Sequence, residues 1–309
     1  MVALTGGVSS DISLVSTGTR RFCVKSALAR LKVAADWRAP VERNRSEVEW
    51  MKTVARIVPR AVPEILLDRS ASGWFAMAYL DPADHPLWKT QLRDGCIDAG
   101  FAATVGRTLA RIHAASAADV SLAQVFATDH IFHPIRLDPY LAATAFAHPD
   151  CAQPLHALIE TTLANKKALV HGDVSPKNIL VGPTGPVFLD AECAWWGDPA
   201  FDIAFCLNHL LLKCAWQPQW SALYLASFDA LAAAYLAGVN WETPAAVEAR
   251  AAGLLAGLFL ARVDGKSPVE YITEEHWKAR VRMVARRFLL EPAQCLTEIR
   301  AAWARECAP

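Results

Sequence analysis

The chain has 309 residues, more than one hydrophobic core usually organises, so two packed lobes or one large domain are expected. Lys plus Arg and Asp plus Glu balance at 31 each and the pI is near 7.1, which removes the broad electrostatic pull toward nucleic acid or an anionic membrane and leaves a small or locally recognised ligand. The eight cysteines are scattered with no Cys-x-x-Cys pair, in a chain too large to need disulfide staples, a pattern that fits a reducing cytoplasm.

The segment from Met1 to Gly7 has no basic region and breaks on glycines, so it reads as neither signal nor transit peptide. Val2 to Leu4, Ile12 to Ser16 and Arg21 to Lys25 are short β-branched or aromatic runs between turns at Thr5 to Ser10 and Thr17 to Thr19, which predicts a three-strand meander. After a break at Pro40, Val48, Met51 and Ala55 give the stretch 43–57 helical spacing, and Pro59 lies just past its end. Two more strands are expected over Glu64 to Leu67 and Trp74 to Leu80. From Pro82 onward Phe101, Val105, Leu109 and Ile112 make one apolar helical stripe, and alanine-rich sequence favours helix through the second half. Asp81 to Asp84 therefore reads as a linker between a β-rich unit, 1–80, and an α-rich one, 81–309. The most apolar stretch, Leu254 to Ala261, ends on Arg262 and is too short to cross a bilayer, so no membrane association is expected.

One β-hairpin interrupts the helices: Ile179 to Val181 and Val187 to Leu189, joined through 182–186. Its ends carry the polar residues that matter most. Asp173 and Asn178 are separated by four residues, the spacing of the Asp and Asn in the kinase catalytic loop H-R-D-L-x-x-x-N. Asp190 follows Asn178 by twelve residues, at the place of a Mg²⁺-binding Asp. Phosphoryl transfer needs a carboxylate to orient and deprotonate the attacking hydroxyl and oxygen ligands to hold Mg²⁺ across the phosphates. Asp173 suits the first role, Asn178 and Asp190 the second, and Glu192 adds a carboxylate for metal or substrate. A lone Gly-Asp is ordinary turn chemistry; the register of all these residues with the hairpin makes it a site.

The same reading places a phosphate-covering turn at Gly6, Gly7, Ser9 and Ser10, a phosphate-binding Lys25 on the third strand, and Glu47 as its helix partner in preference to Glu49, because Glu47 is in line with Met51. Backbone at Ala78 and Leu80, where the fifth strand meets the linker, is expected to meet the adenine edge.

The segments His171-Gly172-Asp173 to Asn178, Leu189 to Glu192, and Gly197 to Ala204 together resemble the aminoglycoside phosphotransferase and choline-kinase superfamily. The Asp190-x-Glu192 pair followed by Phe201-Asp202-Ile203 is particularly similar to methylthioribose kinases. The resemblance implies an α+β, protein-kinase-like bilobal fold: a small antiparallel-sheet N-lobe with one helix and a larger, mostly helical C-lobe. It implies ATP and Mg²⁺ as cofactors, a small hydroxylated acceptor, Asp173 as base, and Asp202 as a brace for the catalytic loop. In methylthioribose kinases a late helix presents arginines to the sugar. Here Arg262 and Asp264 stand at the corresponding place without a paired arginine, and a helix C-terminus suited to cations is the competing reading. Gly172 replaces the Arg of H-R-D, Ala191-Glu192 replaces Phe-Gly of D-F-G, and only Cys193 to Asp198 precede Pro199, so no long activation loop fits and a polypeptide substrate is disfavoured. Cys206, His209 and Cys214 lie in an apolar helix and read as packing more than as a metal site.

The expected function is transfer of the ATP γ-phosphate to a sugar, amino alcohol or related metabolite by a monomer or homodimer. An aminoglycoside or macrolide kinase is the rival within that class, disfavoured because the C-terminal acids are balanced by Arg262, Lys266, Lys278 and Arg280. A pseudokinase acting as sensor or scaffold is the rival outside it.

Overall fold

The computed structural model describes residues 1–4, 10–18, 20–29 and 40–308. Strands β1 (Val2–Leu4), β2 (Ser10–Thr17) and β3 (Arg20–Ala27) form the meander, helix α1 spans Arg43–Ile57, and β4 (Ile65–Arg69) and β5 (Trp74–Ala78) complete an antiparallel sheet ordered β1-β2-β3-β5-β4. Alternation along β3 buries Cys23 and Lys25 together. Helix α1 buries Glu47, Val48, Trp50, Met51 and Val54. Ala55, expected on that face, is exposed, since the helical repeat from Met51 brings Val54 inward instead. Strand β5 ends at Ala78, two residues short of expectation.

The remainder is mostly helical: α2 (Trp88–Arg93), α3 (Ala99–Ala117), α4 (Leu122–Val125), α5 (Asp129–Phe132), α6 (Ala143–Ala147), α7 (Ala152–Ala164), α8 (Ala200–Trp216), α9 (Ser221–Leu236), α10 (Pro244–Asp264), α11 (Glu275–Leu290) and α12 (Leu296–Glu306). Between α5 and α6, His133–Ala142 winds more widely, as in the Ala143 N–H bond to Asp138 O, five residues back, with Pro139 inside the coil. Every residue of α8 from Ala200 to Ala215 is buried, so α8 is the axis around which the others pack. Helix α3 lies against α9 at Gly106, where an added Cβ would come within 2.4 Å of Leu231 O. Helix α10 has 21 residues, and an 18-residue window of it with a mean hydropathy of 1.4 is long and apolar enough to cross a bilayer by length and composition alone. It is a core helix here, with 61% of that window buried inside the molecule.

Two short strand pairings frame the segment 171–190. Strands β7 (Ile179–Gly182) and β8 (Gly185–Phe188) form the expected hairpin, and β6 (Ala168–Val170) pairs antiparallel with β9 (Trp195–Gly197). Leu189, expected in the hairpin, lies just beyond β8, its N–H donating to Asn178 O at 2.9 Å. The hairpin is clamped from both sides: Val181 N–H donates to Pro86 O and Phe188 N–H to Ala61 O, each at 2.8 Å. This is a protein-kinase-like fold, a small antiparallel sheet with one helix beside a larger helical body.

Candidate active site

The loop after β6 is shaped by Gly172 and held by Asp202. Gly172 has φ of 81°, and a Cβ there would meet the Cys193 carbonyl oxygen at 2.8 Å, so no side chain fits and the arginine of H-R-D is sterically excluded. Asp202, in the first turn of α8, accepts the His171 N–H at 2.7 Å and the Gly172 N–H at 2.8 Å. His113 of α3 touches the same carboxylate at 3.2 Å through Nε2, while its Nδ1 meets Tyr235 Oη at 2.8 Å. His171 is buried edge-on against Trp50 of α1, with ring centroids 4.7 Å apart. Its Nε2 lies 3.1 Å from Leu189 O, and its Nδ1 accepts the Asp173 N–H. Burial pushes its pKa down, so the ring is neutral and serves as a spacer between loop and hairpin.

Asp173 is 3% exposed. Its Oδ2 is bracketed by Arg136 NH2 at 2.9 Å and Lys177 Nζ at 3.0 Å, and its buried Oδ1 has no hydrogen-bond partner among the described residues. Burial would raise the Asp173 pKa, but Lys177 and Arg136 outweigh it and hold the carboxylate below its usual range. Arg136 comes from the wide coil 133–142 and also donates through Nε to Gly172 O. The guanidinium that protein kinases carry next to the catalytic Asp is therefore supplied here from 37 residues upstream of Asp173. Neither Arg136 nor Lys177 was singled out from the sequence. A lone arginine between Ile135 and Leu137 was the available signal, because an isolated charge in an apolar run is buried only with a partner.

Asn178 Nδ2 donates to Asp173 O at 3.1 Å, leaving Oδ1 without a hydrogen bond among the described residues. Asp190 follows Leu189 in the left-handed region, φ 66°, a conformation that costs energy for a residue with a side chain and that turns Asp190 out of the strand. Lys25 Nζ lies 2.8 and 2.7 Å from the two Glu47 oxygens and 2.5 Å from Asp190 Oδ1. One ammonium thus sits between two carboxylates. Burial opposes its charge, yet Asp190 and Glu47 keep the Lys25 pKa above its usual value. For Asp190 burial acts upward and Lys25 and Lys177 more than offset it, so its pKa is depressed. Glu47 takes the remainder: burial, with Asp190 and Glu192 nearby, pushes it up to about 7 against the pull of Lys25.

Other expected site residues are placed differently. Gly6, Gly7 and Ser9 lie outside the described residues; Ser10 is buried with its hydroxyl unpartnered among the described residues. The Ala78 N–H donates to Glu64 O at 2.8 Å, and the Leu80 backbone makes no hydrogen bond among the described residues. Glu192 is 4% exposed and accepts from Arg43 Nε at 2.9 Å through Oε2, since a carboxylate this buried needs a cation and α1 supplies one. Arg282 grips both Asp264 oxygens at 2.7 and 2.8 Å, and His148 adds a third contact. Arg262 is 7% exposed, with NH1 3.2 Å from Tyr140 Oη and also bonded to Ser267. No group of three or more His, Cys, Asp or Glu side chains suited to a metal occurs among the described residues, Cys206, His209 and Cys214 included.

Comparison with known proteins decides the family. The sequence profile of the phosphotransferase enzyme family (APH) matches residues 1–240. The chain belongs to the phosphotransferase enzyme family. Within it, the chain is similar to the methylthioribose kinase of Pectobacterium carotovorum subsp. carotovorum, 28% identical over 64% of this chain and 55% of that protein, and to the methylthioribose kinase of Escherichia coli, 25% identical over 72% and 59%. It spans between half and two thirds of the length of these relatives. Among solved structures, the choline kinase of Cryptosporidium parvum superposes with a TM-score of 0.57 at 14% identity over 94% of this chain and 89% of that one. The macrolide 2'-phosphotransferase of Brachybacterium faecium gives 0.50 at 18%, over 99% and 91%. These solved structures share the fold of this chain at identities too low to carry a substrate across.

Proposed function

We propose that the protein transfers the γ-phosphoryl group of ATP to a hydroxyl of a small molecule, with Asp173 as the base. The observation that carries this is the asymmetry of the Asp173 carboxylate: Oδ2 is fixed by Arg136 and Lys177, while Oδ1 is buried without a partner among the described residues, as a group awaiting an incoming O–H would be. The acceptor hydroxyl gives its proton to Oδ1 as its oxygen bonds to Pγ; the Pγ–O bond to the β-phosphate breaks, and its electron pair leaves with ADP. Lys25, oriented by Glu47, holds the donor phosphates, and Ser10 and the Leu80 backbone contact the nucleotide. Residues 1–80 then form the nucleotide lobe and 81–309 the acceptor lobe.

The donor set at the hairpin end fits Mg²⁺: the Asp190 carboxylate and the uncommitted Asn178 Oδ1 are hard oxygen ligands, and one or two carboxylates with substrate phosphates suffice for this ion. Asp190 and Asn178 would hold the ion, which would offset charge on the donor phosphates.

Mg-ATP turnover over a panel of sugars, amino alcohols and antibiotics, for wild type and Asp173→Asn, tests the reading. The variant is expected to lose roughly 10²- to 10⁴-fold in kcat, the usual contribution of a general base. Equal turnover by both proteins would remove Asp173 from the chemistry.

A further inference from the structure

Helix α8 carries one lysine in an otherwise apolar stretch. Lys213 follows Leu210, Leu211 and Leu212, is 1% exposed, and forms no ion pair among the described residues. Its ammonium instead lies 4.4 Å from the Trp216 ring centroid and 4.6 Å from that of Tyr271, two rings stacked on each other. The charges facing it are Lys89, Arg262 and Glu270, and the Glu270 carboxylate is already taken by Lys89. One turn back, His209 is 6% exposed with Nε2 unpartnered, and the Arg262 Nε is equally unpartnered, both among the described residues. Three cations and two orphaned buried nitrogens thus share one carboxylate. A buried positive charge left without a counter-charge destabilises the protein that holds it, and folding gains nothing from the arrangement.

The cluster is continuous with the catalytic loop. Phe205, His209 and Lys213 follow at intervals of four residues on one face of α8. The Arg136 guanidinium that grips Asp173 lies 6.0 Å from the Phe205 centroid; Phe205 in turn meets Tyr140 at 5.5 Å and His209 at 5.4 Å. At 1.5 Å rise per residue this face runs roughly 12 Å from Phe205 to Lys213.

We propose that this face of α8 is the acceptor subsite and that the acceptor carries an anionic group, a carboxylate or a phosphate, held by Lys213 and Arg262 while its hydroxyl meets Asp173. The inference rests on the kinase reading above and narrows its substrate class. Burial, with Lys89 and Arg262 nearby, pushes the Lys213 pKa down to about 7, as expected of an amine waiting for an anion. Amino alcohols and polycationic antibiotics would add like charge to the same place.

The test compares wild type with Lys213→Met on one six-carbon scaffold with a varied end group: sorbitol, 1-amino-1-deoxysorbitol, gluconate and sorbitol 6-phosphate, read as ADP release. Wild type is expected to favour an anionic arm, with gluconate and sorbitol 6-phosphate separating carboxylate from phosphate. Lys213→Met should narrow the anionic-to-neutral ratio of kcat/KM by about tenfold or more. In parallel, malonate or inorganic phosphate should raise the melting temperature of wild type above that in chloride of equal ionic strength and should not do so for the variant. Without added anion the variant should melt no lower than wild type. A preference for the amino sugar alcohol, an unchanged ratio in the variant, or the same anion-induced shift in both proteins overturns the proposal, and the kinase reading stands so long as any acceptor gives Asp173-dependent ADP release. If none does, the kinase reading fails, and the anion-dependent melting decides the subsite by itself.

Discussion

Two cations, Arg136 and Lys177, crowd one of the two oxygens of Asp173. Its pKa is depressed because Lys177 and Arg136 outweigh burial, so the carboxylate stays charged well into acid. In Arg136→Met burial is less opposed, and the acid limb of the pH profile of kcat/KM should move to higher pH. An acid limb that stays where wild type has it would mean that Arg136 has no hold on the proton affinity of Asp173. The sequence displayed Asp173, Asn178, Asp190, Lys25 and Glu47 because their spacing is local, or is fixed by one hairpin or one strand-to-helix step. It hid Arg136, His113 and Arg43, whose partners stand 30 to 150 residues away, roughly, where only the packed chain brings them together. It also showed the Glu192 carboxylate without the arginine that pairs with it.

At the scale of elements, the Arg43–Glu192 pair ties the first turn of α1 to the loop that follows Asp190. Arg43 is fully buried, and it also donates to the Pro40 and Leu28 carbonyls. Removing one member of such a pair leaves the other charged, buried and alone. Arg43→Ala should therefore cost about 3–5 kcal/mol in denaturant unfolding, and Arg43→Met combined with Glu192→Leu should recover much of that. If Arg43→Ala unfolds with wild-type stability, the pair is merely structural contact. The boundaries of α1 and of the hairpin were legible because Pro40, Pro59 and 182–186 punctuate strong patterns. The wide coil 133–142 was not, since an i→i+5 winding has no periodicity of its own to read and Pro139 within it argues against any helix. Helix α8 showed its apolarity plainly, but an all-round apolar helix gives no clue to which face meets which neighbour.

For the molecule as a whole, the ion-paired triad of Lys25, Glu47 and Asp190 joins sheet, α1 and hairpin, and it sets a pH dependence of stability. Glu47 is raised to about 7 in the folded protein, by burial first, from the ordinary 4.5. A folded-state pKa above the unfolded one means that the folded form binds the extra proton. This contribution is fully present below about pH 4.5 and is lost as pH rises through 7. The melting temperature of wild type relative to Glu47→Gln should accordingly fall between pH 5 and pH 8; the subtraction cancels other titrating groups such as His171. A difference that is flat or rises across that window would place the proton elsewhere in the triad.

The pairing of β9 with β6 has one more consequence. The stretch after Asp190, which in protein kinases is the part that swings, is here stitched as Trp195–Gly197 to the strand that delivers His171, and it runs directly into α8. Base, brace and hairpin are thus assembled by folding itself. On the kinase reading proposed above, a loop stitched in this way needs no separate activating rearrangement, so output would follow the supply of acceptor and ATP.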